Sequence, residues 1–243
     1  MGKTQRLIVK DMIKSLTGIA ATCILLLAGC GVTKTAKAPG LYSSANELAV
    51  KTDDGWFSAK TISLGDYSTT SRTNGVQSGS PAKQWKNVSD AFSFTSKNGG
   101  SQLPVQVLST PRITFSSRTF PAWFPVTGND APLWYIHVGA NAADPLKSWE
   151  LILKRNIVFL ELNDNKPVGI LRSAADELKV TAHNRYGAVN SADKICYEFQ
   201  LKGMPVAALL MGKEPRVWLQ KELDPALRET LAATMLGLLF RPQ

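Results

Sequence analysis

The strongest constraint on the fold is a succession of short apolar runs after Trp149, each closed by a turn signal. Residues 150–153, 157–162, 168–172, 178–183, 195–201, 206–211 and 216–219 form these runs, with 163–166, Lys202-Gly203 and Gly212-Lys213 between them. Runs this short, without intervening helical stretches, predict an antiparallel meander rather than alternating strand–helix units. Within 195–201, side-chain alternation puts Ile195, Tyr197, Phe199 and Leu201 on one face. Cys196, Glu198 and Gln200 then share the other.

The preceding half reads the same way with weaker signals. Strands are expected at 47–51 and 56–64, flanking the turn residues Asp53-Asp54-Gly55, and at 91–95, 104–108, 112–116 and 133–138. Residues 65–81, rich in Ser, Thr and Gly, read as a long loop. The chain ends in one helix, expected over 224–240. Asp224 suits its N-cap, Pro225 its first turn, and Glu229 complements its dipole. Leu227, Leu231, Met235 and Leu238 recur at helical spacing, but between Leu231 and Phe240 only Thr234 and Gly237 interrupt the apolar run. Such a helix wants burial on more than one side, and covering a face of the sheet is the expected role. The whole is a mainly β domain: an antiparallel meander or sandwich-like sheet with a C-terminal α-helix packed on it, over 41–243.

Composition excludes several chemistries. The 243 residues carry three cysteines and two histidines, too few for the usual zinc ligand sets or a disulfide framework. No metal and no cofactor are expected. Net charge is +9, and setting aside residues 1–29 leaves 24 basic against 18 acidic residues. That mild excess favours anionic surfaces. No Lys/Arg run has the length of a nucleic-acid stripe, so no nucleic-acid partner is expected.

The N-terminus carries an address. Lys3, Arg6, Lys10 and Lys14 precede residues 15–27, which hold no charge, and Leu27-Ala28-Gly29-Cys30 follows. A basic start and an apolar run make a secretory signal. The four closing residues resemble the lipobox of bacterial lipoprotein precursors. That resemblance covers residues 1–30 only. It implies removal of residues 1–29, diacylglycerol in thioether linkage on Cys30, and a further acyl chain on the new amino group. Two or three chains hold a protein stably, at about 0.8 kcal/mol per buried methylene. Gly31, in a position where aspartate tends to retain lipoproteins in the inner membrane, implies the outer membrane facing the periplasm. In a Gram-positive cell the cytoplasmic membrane takes its place. The other reading of residues 15–33, all uncharged, is an uncleaved transmembrane anchor. Residues 31–40 read as a flexible tether reaching at most roughly 35 Å.

The search for catalysis returns no constellation. Ser80-Pro81-Ala82-Lys83 has the Ser-x-x-Lys spacing of penicillin-recognising enzymes, but Ser-Asp-Asn and Lys-Thr-Gly are absent from the sequence. His137 and His183 are the only bases for a triad assembled in space. Cys196 is read as an inert small residue rather than an activated thiol. The aromatic stretch 120–135 is the most suggestive for binding a glycan or protein partner, with Trp123, Phe124 and Trp134 as the candidate surface. The same residues serve equally as a plug for one end of a β-domain. The expected function is that of a membrane-anchored envelope lipoprotein with a non-catalytic binding or assembly role. The alternative is a lipid-anchored periplasmic hydrolase acting on wall or lipid substrates.

Overall fold

The computed structural model describes residues 40–54, 60–78, 80–110, 121–124, 132–139, 148–157, 162, 166–187 and 194–241. The lipobox with Cys30, most of the tether, and the expected strand at 112–116 lie outside them, as does most of 157–162. Residues 38–243 form one compact unit.

Its described residues build a single antiparallel sheet. The strands are β1 (Glu47–Leu48), β2 (Val50–Asp53), β3 (Thr61–Leu64), β4 (Tyr67–Thr69), β5 (Thr73–Asn74), β6 (Ser89–Asn98) and β7 (Ser101–Thr110). Then come β8 (Leu133–Val138), β9 (Trp149–Lys154), β10 (Pro167–Arg172), β11 (Glu177–His183), β12 (Cys196–Leu201), β13 (Met204–Leu210) and β14 (Arg216–Leu219). Each pairs with its sequence neighbour from β6 to β14, the expected meander. The stretch 65–81, expected as loop, contains β4 and β5. Both are short and polar, and both are strands because the long β6 offers them a partner: Ser68 lies opposite Lys97, and Thr73 opposite Ser93.

One run of chain closes the sheet. Glu47 and Leu48 pair with Trp218 and Val217 of β14, and one residue later Val50–Asp53 pair with β3. Residues 47–53 thus give both ends of the sheet order a partner, and the sheet is nearly barrel-shaped. Closure removes the exposed edges that an open meander would leave. The tight turns follow the sequence. Lys202 and Gly203, both at positive φ (51° and 83°), join the Leu201–Met204 pair, as a two-residue hairpin of matching twist requires.

The pleat sorts the side chains. Phe94, Val105, Val107, Ile136, Leu151, Leu153, Val180, Phe199 and Leu209 all enter one core cluster on the inner face. Gln106, His137, Glu150, Arg172, Glu198 and Gln200 alternate with them on the outside. The outer positions are mixed, with Leu108, Tyr135, Ile152 and Ile170 beside those polar residues. No helix among the described residues is long and apolar enough to cross a membrane.

Helix α1 (Pro225–Leu239) fills the inner side. Asp224 Oδ1 accepts from the Ala226 and Leu227 amides at 3.0 and 3.1 Å, and Pro225 begins the first turn. Glu229 ties this end to the β6–β7 hairpin, accepting from Ser101 Oγ at 2.8 Å. Every residue from Thr230 to Leu239 is buried. Thr230 and Thr234 satisfy their hydroxyls on the carbonyls of Ala226 and Thr230. At Gly237 the wall comes close: a Cβ there would meet Ile136 at 3.1 Å and Val107 at 3.2 Å. The helix therefore packs against the concave face and is enclosed by it.

Two smaller clusters cover parts of the outer wall. Ala82 and Phe124 pack on Leu108, Leu133, Tyr135, Ile152 and Ile170 of β7–β10. Leu41 and Tyr42 pack on Cys196, Ala208, Leu210 and Trp218 of β12–β14.

Candidate functional site

Strand direction sorts the connections into two ends. Of the described residues, 65–66, 99–100, 173–176 and 202–203 join strands at one end as tight turns. At the other, 70–78, 80–88, 155–157, 184–187, 194–195 and 211–215 leave or enter the strands. Helix α1 enters from the tight-turn end and finishes at the long-connection end. Function in such folds concentrates where connections are long.

Three polar assemblies stand out among the described residues. The first is on the outer wall of β11–β12, where register places His183 opposite Cys196, and Thr181 opposite Glu198. Tyr42 reaches over from the N-terminal segment, donates its hydroxyl to Glu198 Oε1, and lies 3.1 Å from His183 Nε2. His183 Nε2 is 3.3 Å from the same carboxylate, and its Nδ1 accepts from the Arg185 amide at 3.4 Å. An Nδ1 that accepts leaves the ring proton on Nε2, directed at Glu198. Burial pushes the Glu198 carboxyl up, but hydrogen bonds from His183 and Tyr42 outweigh it and hold the carboxyl below its ordinary range. Burial, with Cys196 and Glu198 nearby, pushes the Tyr42 hydroxyl far up. Tyr186 stacks on Trp218 above the group, with ring centroids 5.8 Å apart, and burial raises its hydroxyl to about 12.

This cluster is self-satisfied. Both His183 nitrogens are engaged, so neither is free to act as a base toward Cys196, which is itself fully buried. The arrangement pins residues 41–43 to the wall.

The second assembly is a transverse row on the outer face. Gln106, His137, Glu150 and Arg172 lie opposite one another across β7–β10. Glu150 accepts from Arg172 Nε at 2.6 Å and from the Tyr135 hydroxyl at 3.3 Å. Gln106 receives the Gln77 amide at 2.8 Å and donates to the Phe92 carbonyl at 2.9 Å, holding the segment after β5. His137 stacks beside Tyr135 with its Nδ1 buried and unpartnered. Burial drives its pKa down to about 4, so the ring is neutral at physiological pH.

The third lies at the end of α1. The Arg241 guanidinium is 5.1 Å from the Trp134 ring centroid and 5.6 Å from that of Tyr197, and its Nε donates to the Leu238 carbonyl at 3.3 Å. Arg241 is only 8% exposed, yet no carboxylate lies within ion-pair distance of it among the described residues. The helix C-terminal dipole and the two ring faces favour its charge. Arg155 also sits over Trp134, at 5.2 Å, and is held by Asp90 at 3.2 Å and Ser109 Oγ at 3.0 Å.

The aromatic residues singled out in sequence are separated by the sheet. Phe124 is buried in the outer-wall cluster, Trp123 is half-buried beside it with Lys179 Nζ 5.2 Å from its ring, and Trp134 faces the interior. They do not share one surface. Ser80 Oγ accepts from the Ala82 amide and caps the 3-10 turn Pro81–Gln84, while Lys83 is exposed. No group of three potential metal ligands occurs among the described residues. Tyr42, Arg155 and Arg241 carry no sequence motif; an arginine just after the apolar run 231–240 is the available signal for the last of them.

Compared with protein-family models, curated proteins and solved structures, the chain matches none.

Proposed function

We propose that the chain is a lipid-anchored envelope protein whose β-domain works as a non-catalytic binding or assembly module. Anchorage is read from Leu27-Ala28-Gly29-Cys30 and the basic and apolar segments before it. Location at the outer membrane, facing the periplasm, follows from Gly31 by the same resemblance. An envelope protein or a glycan is the partner class.

The observation that carries the binding role is the use of the interior. Helix α1 and the inward side chains occupy the space that a ligand-carrying barrel keeps open. Interaction is therefore left to the outer wall and the connections. The Tyr42–His183–Glu198 group spends its polar atoms on itself, which argues against the hydrolase reading.

The test is mass spectrometry of the membrane-extracted protein beside a Cys30→Ser variant. The expected mature N-terminus is an acylated Cys30, lost in the variant. An intact Met1 without lipid would replace the lipoprotein with a transmembrane anchor. Complementation of a deletion strain by folded His183→Asn and His137→Asn variants is expected to succeed. Failure of either folded variant would bring back the hydrolase.

A further inference from the structure

We propose that the open edge of β2 is a self-association surface, on which β2 of a second copy of this chain pairs antiparallel about a two-fold axis. This contact goes beyond the envelope reading and needs no acyl anchor.

Barrel closure stops short on one side of β2. Glu47 and Leu48 pair with Trp218 and Val217, and the same register carried on sets Val50 opposite Pro215. Proline has no N–H to give, so the ladder with β14 ends there. Beyond that point β2 keeps only β3 as a neighbour. The Gly65 amide donates to the Ala49 carbonyl, so the hydrogen-bonded pairs along β3 are Ala49–Gly65, Lys51–Ser63 and Asp53–Thr61. Val50 and Thr52 therefore turn their N–H and C=O groups the other way, where no strand pairs with them among the described residues. Lys51, Thr52 and Asp53 are all exposed. Unpaired edge groups of this kind are a template for another strand.

The side chains select the partner and the register. An incoming β2 hydrogen-bonds through its own Val50 and Thr52, which leaves few alignments. Thr52 opposite the partner's Val50 sets Lys51 against the partner's Lys51, and Thr52 opposite the partner's Asp54 sets Asp53 against the partner's Asp53; both are repulsive. Val50 opposite the partner's Val50 requires the edge of Leu48, which Val217 already occupies. Thr52 opposite the partner's Thr52 sets Lys51 against the partner's Asp53 and, by symmetry, Asp53 against the partner's Lys51. Both are non-hydrogen-bonded pairs, where side chains come closest, and both lie on the outer face beside Ser63 and Thr61. The run Lys51-Thr52-Asp53 is thus complementary to itself when reversed, and a second copy supplies that reversed run. Four residues a side make a small contact, so the association is expected to be weak.

The experiment uses the full chain extracted from membranes in detergent, with dimerisation read by sedimentation equilibrium. The parent is expected to show a concentration-dependent monomer–dimer equilibrium. Lys51→Asp alone and Asp53→Lys alone each turn two attractive cross-strand pairs into two repulsive ones, and each is expected to weaken dimerisation about thirtyfold. The double variant carrying both substitutions restores opposite charges in reversed order and is expected to dimerise within about threefold of the parent. An unchanged thermal midpoint checks that each variant is folded. Independently, Thr52→Cys in oxidised cell envelopes is expected to give a disulfide-linked homodimer above the parent's background, because the two-fold sets the two thiols opposite each other. A monomeric parent, a double variant no better than the single ones, or a Thr52→Cys chain that links to a different protein or to none overturns the proposal.

Discussion

A helix lying on an open sheet has a side that tolerates polar substitution, whereas a helix enclosed by a closed sheet has none. Ala232, Ala233, Thr234 and Met235 are consecutive and fully buried, and at about 100° per residue they sweep most of the helix circumference. Leu236 and Leu238 lie about 200° apart and are equally buried. Truncating either to alanine removes a side chain from between α1 and strands tied by their own hydrogen bonds, which cannot collapse into the gap. Each of Leu236→Ala and Leu238→Ala is therefore expected to cost about 3–5 kcal/mol, the upper part of the range for buried leucine. In a unit of this size that lowers Tm by roughly 6–20 °C. Ala233→Lys and Met235→Lys bury an unpaired ammonium on two other sides, and each is expected to cost at least about 3 kcal/mol. Urea unfolding followed by tryptophan fluorescence measures all four, with an unchanged m-value as the check on two-state behaviour. A cost under about 1 kcal/mol at any of the four positions would refute the enclosure, because it would reveal a permissive face.

Four further outcomes are expected. His137 binds its proton less tightly folded than unfolded, so its contribution is intact above pH 6.5 and is lost as pH falls toward about 4. The loss amounts to about 3 kcal/mol, and an unchanged pH dependence of the urea midpoint in His137→Gln would contradict it. Tyr42→Phe removes a hydrogen bond to a buried carboxylate and is expected to cost about 1.5–3 kcal/mol, with residues 40–46 losing hydrogen-exchange protection first. Because Glu198 is held below the ordinary carboxylate range, that pin is at full strength above the unfolded carboxyl pKa and weakens only as pH falls through the folded value; unaltered protection at 40–46 would remove it. Cys196 should resist thiol reagents in the folded protein and react in urea, and prompt native labelling would show the outer wall to be open there. Gly169→Ala sets a Cβ 2.8 Å from the Ile152 carbonyl oxygen, which belongs to the β9–β10 pairing, and should cost about 1–3 kcal/mol by denaturant titration. A neutral result would mean that the strand pair yields.

What the sequence determined by itself was local. In 195–201 the two-residue period of a strand puts Tyr197 and Phe199 inside and Cys196 and Glu198 outside, as the structure has them. Lys202-Gly203 specified its hairpin because few residue pairs accept positive φ twice, and Asp224-Pro225 specified the start of α1 because capping needs only the next three residues. Even the need of the last helix for burial on several sides was legible in its run of apolar residues. Only the tertiary structure decided which partners those elements met. The polar strands β4 and β5 exist because β6 extends alongside them, a fact their Ser- and Thr-rich sequence does not contain. Tyr42 and Glu198 are 156 residues apart, and Glu47 and Trp218 are 171 apart by number; no short-range pattern joins them. The aromatic stretch 120–135 shows the same limit, since composition marked its rings but the sheet divided Trp123 and Phe124 from Trp134. Alternation and turn chemistry are properties of neighbouring residues, whereas closure depends on which strand edges remain unpaired once the rest of the sheet is in place.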